Sequence, residues 1–160
     1  MQYWLMKSEP EEFSFEDLKT RPDRKEPWDG VRNYQARNMM RDEMKVGDGV
    51  LFYHSNCDVP GVVGLAKIAS EPRPDHTAFD PEDKHFDPKS DPDNPRWFLV
   101  DVQYDRPLKR VLPLAELKDH ADALDGLALI RRGNRLSVMP VSAEHWDYIL
   151  GLESTESPTG

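Results

Sequence analysis

Between Trp28 and Asn38 the chain reads Trp-Asp-Gly-Val-Arg-Asn-Tyr-Gln-Ala-Arg-Asn: a large aromatic, a glycine that permits a tight turn, then amides and guanidinium groups in close succession. Asp29 is the only acid between Trp28 and Arg41, in a protein whose formal net charge is −9. An aromatic face beside hydrogen-bond donors, free of surrounding carboxylates, suits a planar, electron-rich or anionic ligand. A base or nucleotide is therefore the first candidate. Other chemistry finds less support. Lys7-Ser8-Glu9 and His54-Ser55 hold the residue types of Ser-Lys or Ser-His nucleophiles, yet there is no Gly-x-Ser-x-Gly elbow and no Ser-x-x-Lys. The histidines His54, His76, His85, His120 and His145 fall in no zinc spacing, Cys57 stands alone, and the aspartates after Glu71 make no EF-hand pattern. Neither a metal site nor a disulfide is expected. No phosphate loop or dinucleotide fingerprint is present, so no cofactor is expected.

The tryptophans divide by setting. Trp4 and Trp146 lie within apolar patterns and read as core, whereas Trp28 and Trp97 stand at element boundaries, where a ring is available to stack on a ligand. Stacking of a base on such a ring contributes roughly 1–3 kcal/mol. Three segments are locally basic: Arg32 to Arg41, Arg106 to Arg110, and Arg131 to Arg135. Overall acidity argues against non-specific binding to long nucleic acid, but local charge decides whether one base can be read.

The elements that must position these groups follow from periodicity. Gln2 to Lys7 is apolar on both faces and predicts an interior strand, ended by Pro10. Ser14 is an N-cap for a short helix over Phe15 to Lys19, with Asp17 completing a capping box. Thr20 to Pro27 reads as an exposed loop. A second helix is predicted from Asn33 through Met44, with Tyr34, Ala36, Met39, Met40 and Met44 on its core face. Val50 to Ser55 and Gly61 to Ser70 make a hairpin, in which Gly61 and Gly64 suggest close backbone approach or a bulge. Glu71 to Arg96 is rich in proline and carboxylates and reads as a flap crossing one face, pinned by Phe79 and Phe86. Further strands are expected at Trp97 to Tyr104, Val111 to Pro113 and Leu136 to Val138, with a helix from Leu114 to Lys118. Leu124 to Ile130 is open between helix and loop. A last helix follows Ser142, carries Trp146, Ile149 and Leu150 inward and stops at Gly151. This order is not a βαβ alternation; it suits an α+β domain whose mixed sheet curls into a small barrel flanked by helices.

With 160 residues, 38% of them hydrophobic and 32% charged, one domain over residues 1–152 and a flexible tail over 153–160 are expected. No apolar run approaches the roughly 20 residues that span a bilayer, and the N-terminus lacks a signal-peptide pattern. With the lone cysteine, this points to a soluble, reducing compartment, taken as the cytoplasm, with no membrane partner. Nothing in the chain sets an oligomeric state, and a monomer is the default expectation.

Read together, Tyr3 to Pro10, Trp28 to Asn38, Phe52 to Asn56, Gly61 to Ala66, Pro95 to Trp97 and Arg135 to Val138 closely resemble the EVE domain family over residues 2 to 152. The resemblance implies a PUA-like pseudo-barrel related to YTH domains, and a non-enzymatic reader of a modified base in DNA or RNA. It implies a pocket built from Lys7, Ser8, Glu9, Trp28, Val31, Arg32, Asn33, Ser55, Asn56 and Trp97. Trp28 would be a cage wall and Asn33 a polar reader or helix cap. Glu9, as a carboxylate, would accept from an exocyclic amine, favouring a modified cytosine over a modified adenine. Arg32, Arg37, Arg131, Arg132 and Arg135 would meet flanking phosphates. Two alternatives stay open. One is an ASCH-like hydrolase of modified nucleosides or RNA, with Lys7 and Glu9 as general acid and base; the other is an interaction domain whose cleft holds a small anion.

Overall fold

Apolar residues on both faces of Tyr3–Ser8 (β1) demand a place inside a sheet, and β1 has one in the computed structural model, which describes residues 1–155. The other strands are Lys25–Pro27 (β2), Gly49–His54 (β3), Gly61–Ile68 (β4), Arg73–Pro74 (β5), Phe98–Leu99 (β6), Asp101–Pro113 (β7) and Val138–Val141 (β8). Six of them form one sheet in the order β2-β7-β4-β3-β1-β8, while β5 and β6 pair separately. Among the described residues only β1 and β3 run parallel, and every other strand pairing is antiparallel. The sheet is the mixed, curled half-barrel expected of an α+β PUA-like domain.

Irregularities in strand register produce the curl. The β3–β4 pairing shifts between Phe52 and Tyr53, and the β4–β7 pairing shifts between Val62 and Gly64 and again between Leu65 and Ala66. Such bulges bend a strand and increase its twist. Gly64 is required here, because a Cβ would lie 2.2 Å from the ring of Phe15. Phe15 opens the first helix, Phe15–Thr20 (α1), and packs against Phe52 and Tyr104 inside the curl. The expected capping box is present: Ser14 Oγ accepts from Asp17 N (3.0 Å) and Asp17 Oδ2 accepts from Ser14 N (2.9 Å). The second helix, Tyr34–Asp42 (α2), is shorter than expected and starts from Asn33, whose side chain accepts from Ala36 N. Leu114–Asp119 (α3) and Ala143–Leu152 (α4), capped by Ser142, complete the set. Trp4 is core, its indole N–H donating to buried Asp48, and half-buried Trp146 stacks on Tyr3.

Several boundaries differ from those expected, each for a tertiary reason. Residues 20–27 are not simply loop: a 3₁₀ turn at Pro22–Arg24 leads into β2, an edge strand where Pro27 needs no donor. The apolar run Trp97–Tyr104 divides between two sheets, because β6 pairs with β5 before β7 joins β4. Leu124–Ile130 resolves into a turn and a short 3₁₀ helix at Ala128–Ile130. The last strand is β8, two residues beyond the expected start, placed by pairing with β1. Tyr34 was expected in the core but is 51% exposed, and Phe86 is exposed rather than pinning the flap.

The C-terminal segment also departs from expectation. Glu153 is buried and accepts both Arg106 guanidinium N–H groups (2.9 and 2.8 Å) and the Lys109 backbone N–H (2.9 Å). Thr155 accepts from Arg110, so the chain is tied down to the last described residue; the rest of the expected tail, 156–160, lies outside the described residues. The Arg106 bonds, opposed by burial and aided by the Lys109 N–H, lower the Glu153 carboxyl from 4.5 to about 2. A depressed folded-state pKa stabilises above the unfolded value and the benefit is lost as pH falls toward the folded one. The Glu153→Gln protein is therefore expected to be less stable by about 1–2 kcal/mol at neutral pH, allowing for the half-exposed Arg106. Its deficit relative to wild type should shrink between pH 4.5 and 2. Urea unfolding across that range checks this.

Candidate nucleic-acid interface

The end of β1, the start of the Trp28–Arg32 segment and the flap enclose a cleft of about 630 Å³, within the range of ligand pockets. Lys7, Ser8 and Glu9 form one side, Phe13 and Trp28 supply aromatic surface, and Asp29, Gly30, Val31 and Arg32 make the floor. Lys84 and His85 reach in from the flap, and Ser137 closes the edge beside β1, where its carbonyl accepts from Lys7 N. Trp28 is 8% exposed and meets Phe13 and Phe52 edge-on, so it is a wall anchored in the core rather than a free paddle.

One buried carboxylate holds the flap to the floor. Asp75 is fully buried; its Oδ2 accepts from Gly30 N (2.8 Å) and Arg32 Nη1 (3.0 Å), and its Oδ1 from Thr77 N (2.9 Å) and Thr77 Oγ1 (2.6 Å). Burial pushes its pKa up, but the bonds from Thr77, Gly30 and Arg32 outweigh it and keep the group below the usual range. Arg32 also donates to the His85 carbonyl through Nε and Nη2. Gly30 sits at φ +78°, and a Cβ there would fall 2.5 Å from the His85 ring, so only glycine admits this approach. The flap is joined to helix α1's approach by the Lys84–Glu12 ion pair.

Desolvation tunes the cleft. Burial lowers the Lys7 pKa, and its ammonium lies 5.7 Å from the Tyr53 ring, whose own phenol burial pushes up to about 12. Asp29 is raised by burial and by the nearby charge of Asp75; Glu26 is raised by burial against the opposing pull of Arg21. Asp29 makes no side-chain hydrogen bond among the described residues, and the Nδ1 of the His85 ring lies 4.0 Å from its Oδ1. The arrangement offers a half-buried, unengaged acceptor beside an aromatic wall, with donors opposite. It is suited to the polar edge of a planar ring.

The EVE domain model matches residues 2–152. The chain belongs to the EVE domain family. Thymocyte nuclear protein 1 of Danio rerio is 51% identical over 169 residues, covering 96% of this chain and 72% of the relative, and the Homo sapiens protein is 49% identical, covering 96% and 75%. The structure of human THYN1 in complex with DNA containing 5-methylcytosine superposes with a TM-score of 0.94 at 47% identity, covering 98% of this chain and all of that one. A Pseudomonas syringae protein gives 0.89 at 48% identity, covering 94% and 99%. An ASCH protein of Zymomonas mobilis, 12% identical with a TM-score of 0.54, shares the fold. No helix among the described residues is long and apolar enough to cross a membrane.

In this EVE domain the residues singled out from sequence do not all meet. Lys7, Ser8, Glu9, Trp28, Val31 and Arg32 line the cleft. Asn33 does not; its side chain caps α2, the second of the two roles open to it. Ser55 and Asn56 lie outside the lining, Ser55 N bonding to the Ser8 carbonyl and Asn56 Nδ2 donating to Glu9 Oε1 (2.8 Å). Trp97 is buried under the flap with its indole N–H on Asp87 (2.6 Å) and its face on Tyr34, so it forms no cage with Trp28. Arg37 is held by the Arg96 carbonyl and Asn38. Phe13, Asp29, Lys84, His85 and Ser137 were not singled out. Ser137 lay within a block resembling the family, and Asp29 within the opening stretch, but the flap's contribution had no sequence signal beyond its length.

Asp75→Asn replaces an acceptor of four bonds by a group that must present N–H to some of the same donors. Stability should drop by about 3 kcal/mol, and residues 80–90 should become protease-sensitive under native conditions. Limited proteolysis with mass mapping reads the second effect; unchanged cleavage would show that the flap is held some other way.

Proposed function

We propose that this EVE domain is a non-catalytic reader that takes a modified cytosine of DNA into the cleft beside Trp28. The observation that carries this is the human relative's complex with 5-methylcytosine DNA, in a fold superposing with a TM-score of 0.94. The cleft supports it: a base removed from the stack needs an apolar wall and partners for its polar edge, and both are present. Lys7, Ser8, Trp28 and Val31 contribute the pocket. The acceptor for the exocyclic amine is Asp29 rather than Glu9, because Glu9 is exposed at the rim and engaged by Asn56, whereas Asp29 is half-buried and unengaged. Carboxylates are fitting partners for cytosine N4. The vertebrate relatives are named nuclear proteins, so a compartment that holds DNA replaces the cytoplasm as the expected location there.

Asp29→Ala should weaken binding to a duplex carrying one 5-methylcytosine about tenfold, the effect of one charge-assisted bond, while Glu9→Ala should change it less than threefold. Trp28→Phe, which keeps the core filled, should reduce the preference over an unmodified duplex several-fold. Fluorescence anisotropy with both duplexes measures these. Equal affinity of the wild-type protein for the two duplexes defeats the assignment. The desolvated Lys7, in a cleft that Asp29 and Glu26 also line, is the feature that favours a hydrolase; release of a free base or nucleoside from the modified duplex under the same conditions would select that reading.

A further inference from the structure

The three basic segments of the sequence have different fates. In the first, Arg32 holds Asp75 and the His85 carbonyl, Arg37 the Arg96 carbonyl, and Arg41 Asp42. In the second, Arg106 holds Glu153 and Arg110 holds Glu116. These guanidiniums work as internal staples. Arg131, Arg132 and Arg135 are different: all three are exposed, and none has a carboxylate, carbonyl or ring partner among the described residues. They line a groove of about 270 Å³ with Gly133, Asn134, Leu136 and, across it, Asn33 and Gln35 at the start of α2. Among the described residues no carboxylate lines this groove, whereas Glu9, Glu12, Glu26 and Asp29 all line the cleft.

The groove and the cleft are neighbours along two separate strands of backbone. Arg32 lines the cleft and Asn33 the groove; Ser137 lines the cleft and Leu136 the groove. Consecutive Cα atoms are about 3.8 Å apart, so the cleft and the groove adjoin at both places, within reach of neighbouring units of one polymer. A phosphate is repelled by the carboxylates of the cleft and drawn to the unpaired arginines beside it. The side-chain amide N–H groups of Gln35 and Asn33, unengaged among the described residues, add neutral donors to the groove.

We propose that the groove formed by Arg131, Arg132, Arg135 and the first turn of α2 binds the phosphodiesters adjacent to the nucleotide whose base enters the cleft. This rests on the reader assignment and adds the path of the strand to it: base into the mixed-charge cleft, backbone over the Arg131–Arg135 loop. Base identity is then read in one place and affinity supplied in another, in a protein whose overall charge opposes DNA.

The test compares the wild-type chain, a variant with Arg131→Gln, Arg132→Gln and Arg135→Gln, and a charge-matched control with Lys45→Gln, Lys67→Gln and Lys109→Gln. Each is titrated by anisotropy against the 5-methylcytosine duplex and the unmodified duplex from 50 to 200 mM salt. Each neutralised phosphate contributes about 0.9 to the slope of log affinity against log salt. Loss of about two contacts should lower that slope by about 2 in the arginine variant and weaken both duplexes at least tenfold at 50 mM salt. The preference for the modified duplex should be kept, and the lysine control should keep slope and affinity near wild type. An arginine variant indistinguishable from the lysine control overturns the groove assignment while leaving the reader intact. A wild-type protein that binds both duplexes equally defeats the reader, and the slope comparison still decides the groove. Binding to neither duplex overturns both.

Discussion

The buried carboxylate of Asp75 is the constraint on which the site depends. It gathers Gly30, Arg32 and Thr77 from two segments far apart in sequence, and thereby turns a long, proline-rich flap into a fixed wall. A charge removed from water this fully persists only when its oxygens are saturated with donors. Here two of the four donors, Gly30 N and Arg32 Nη1, belong to the Trp28–Arg32 segment, so satisfying Asp75 and shaping the cleft are one event. Gly30 shares in it, because the bond to its N–H brings its Cα against His85, where no side chain fits.

The same economy governs the arginines. An acidic chain offers most guanidiniums a carboxylate, and most take one: Arg106 and Arg110 fasten the C-terminal segment and α3 to β7. The arginines left over, those of the Arg131–Arg135 loop, stand out by having no side-chain partner among the described residues. Charge that the fold does not consume is charge available to a ligand, and its position beside the cleft gives the surface a direction.

The fold was largely legible in the chain. Apolar patterning on both faces placed β1 inside the sheet; the Ser14 and Ser142 caps placed two helix starts; Gly64 marked the bulge that curls the barrel. These are local signals, set by hydrogen-bond supply and steric room within a few residues. The errors fell where pairing across the molecule overrode local preference, as when the Trp97–Tyr104 run divided between two sheets.

The opening stretch, Trp28 to Asn38, shows the division within the site. By itself the sequence determined that an aromatic, a turn glycine and a helix start would lie together, and that Lys7 to Glu9 belonged with them through family resemblance. Only the tertiary structure decided which polar groups remain free. Asn33 is spent on a cap, Arg32 on Asp75, and Trp97 on Asp87 and Tyr34, while Asp29 keeps its lone pairs and Arg131, Arg132 and Arg135 their donors. Residue type fixes what a side chain can bind; long-range packing fixes whether something inside the protein has already bound it.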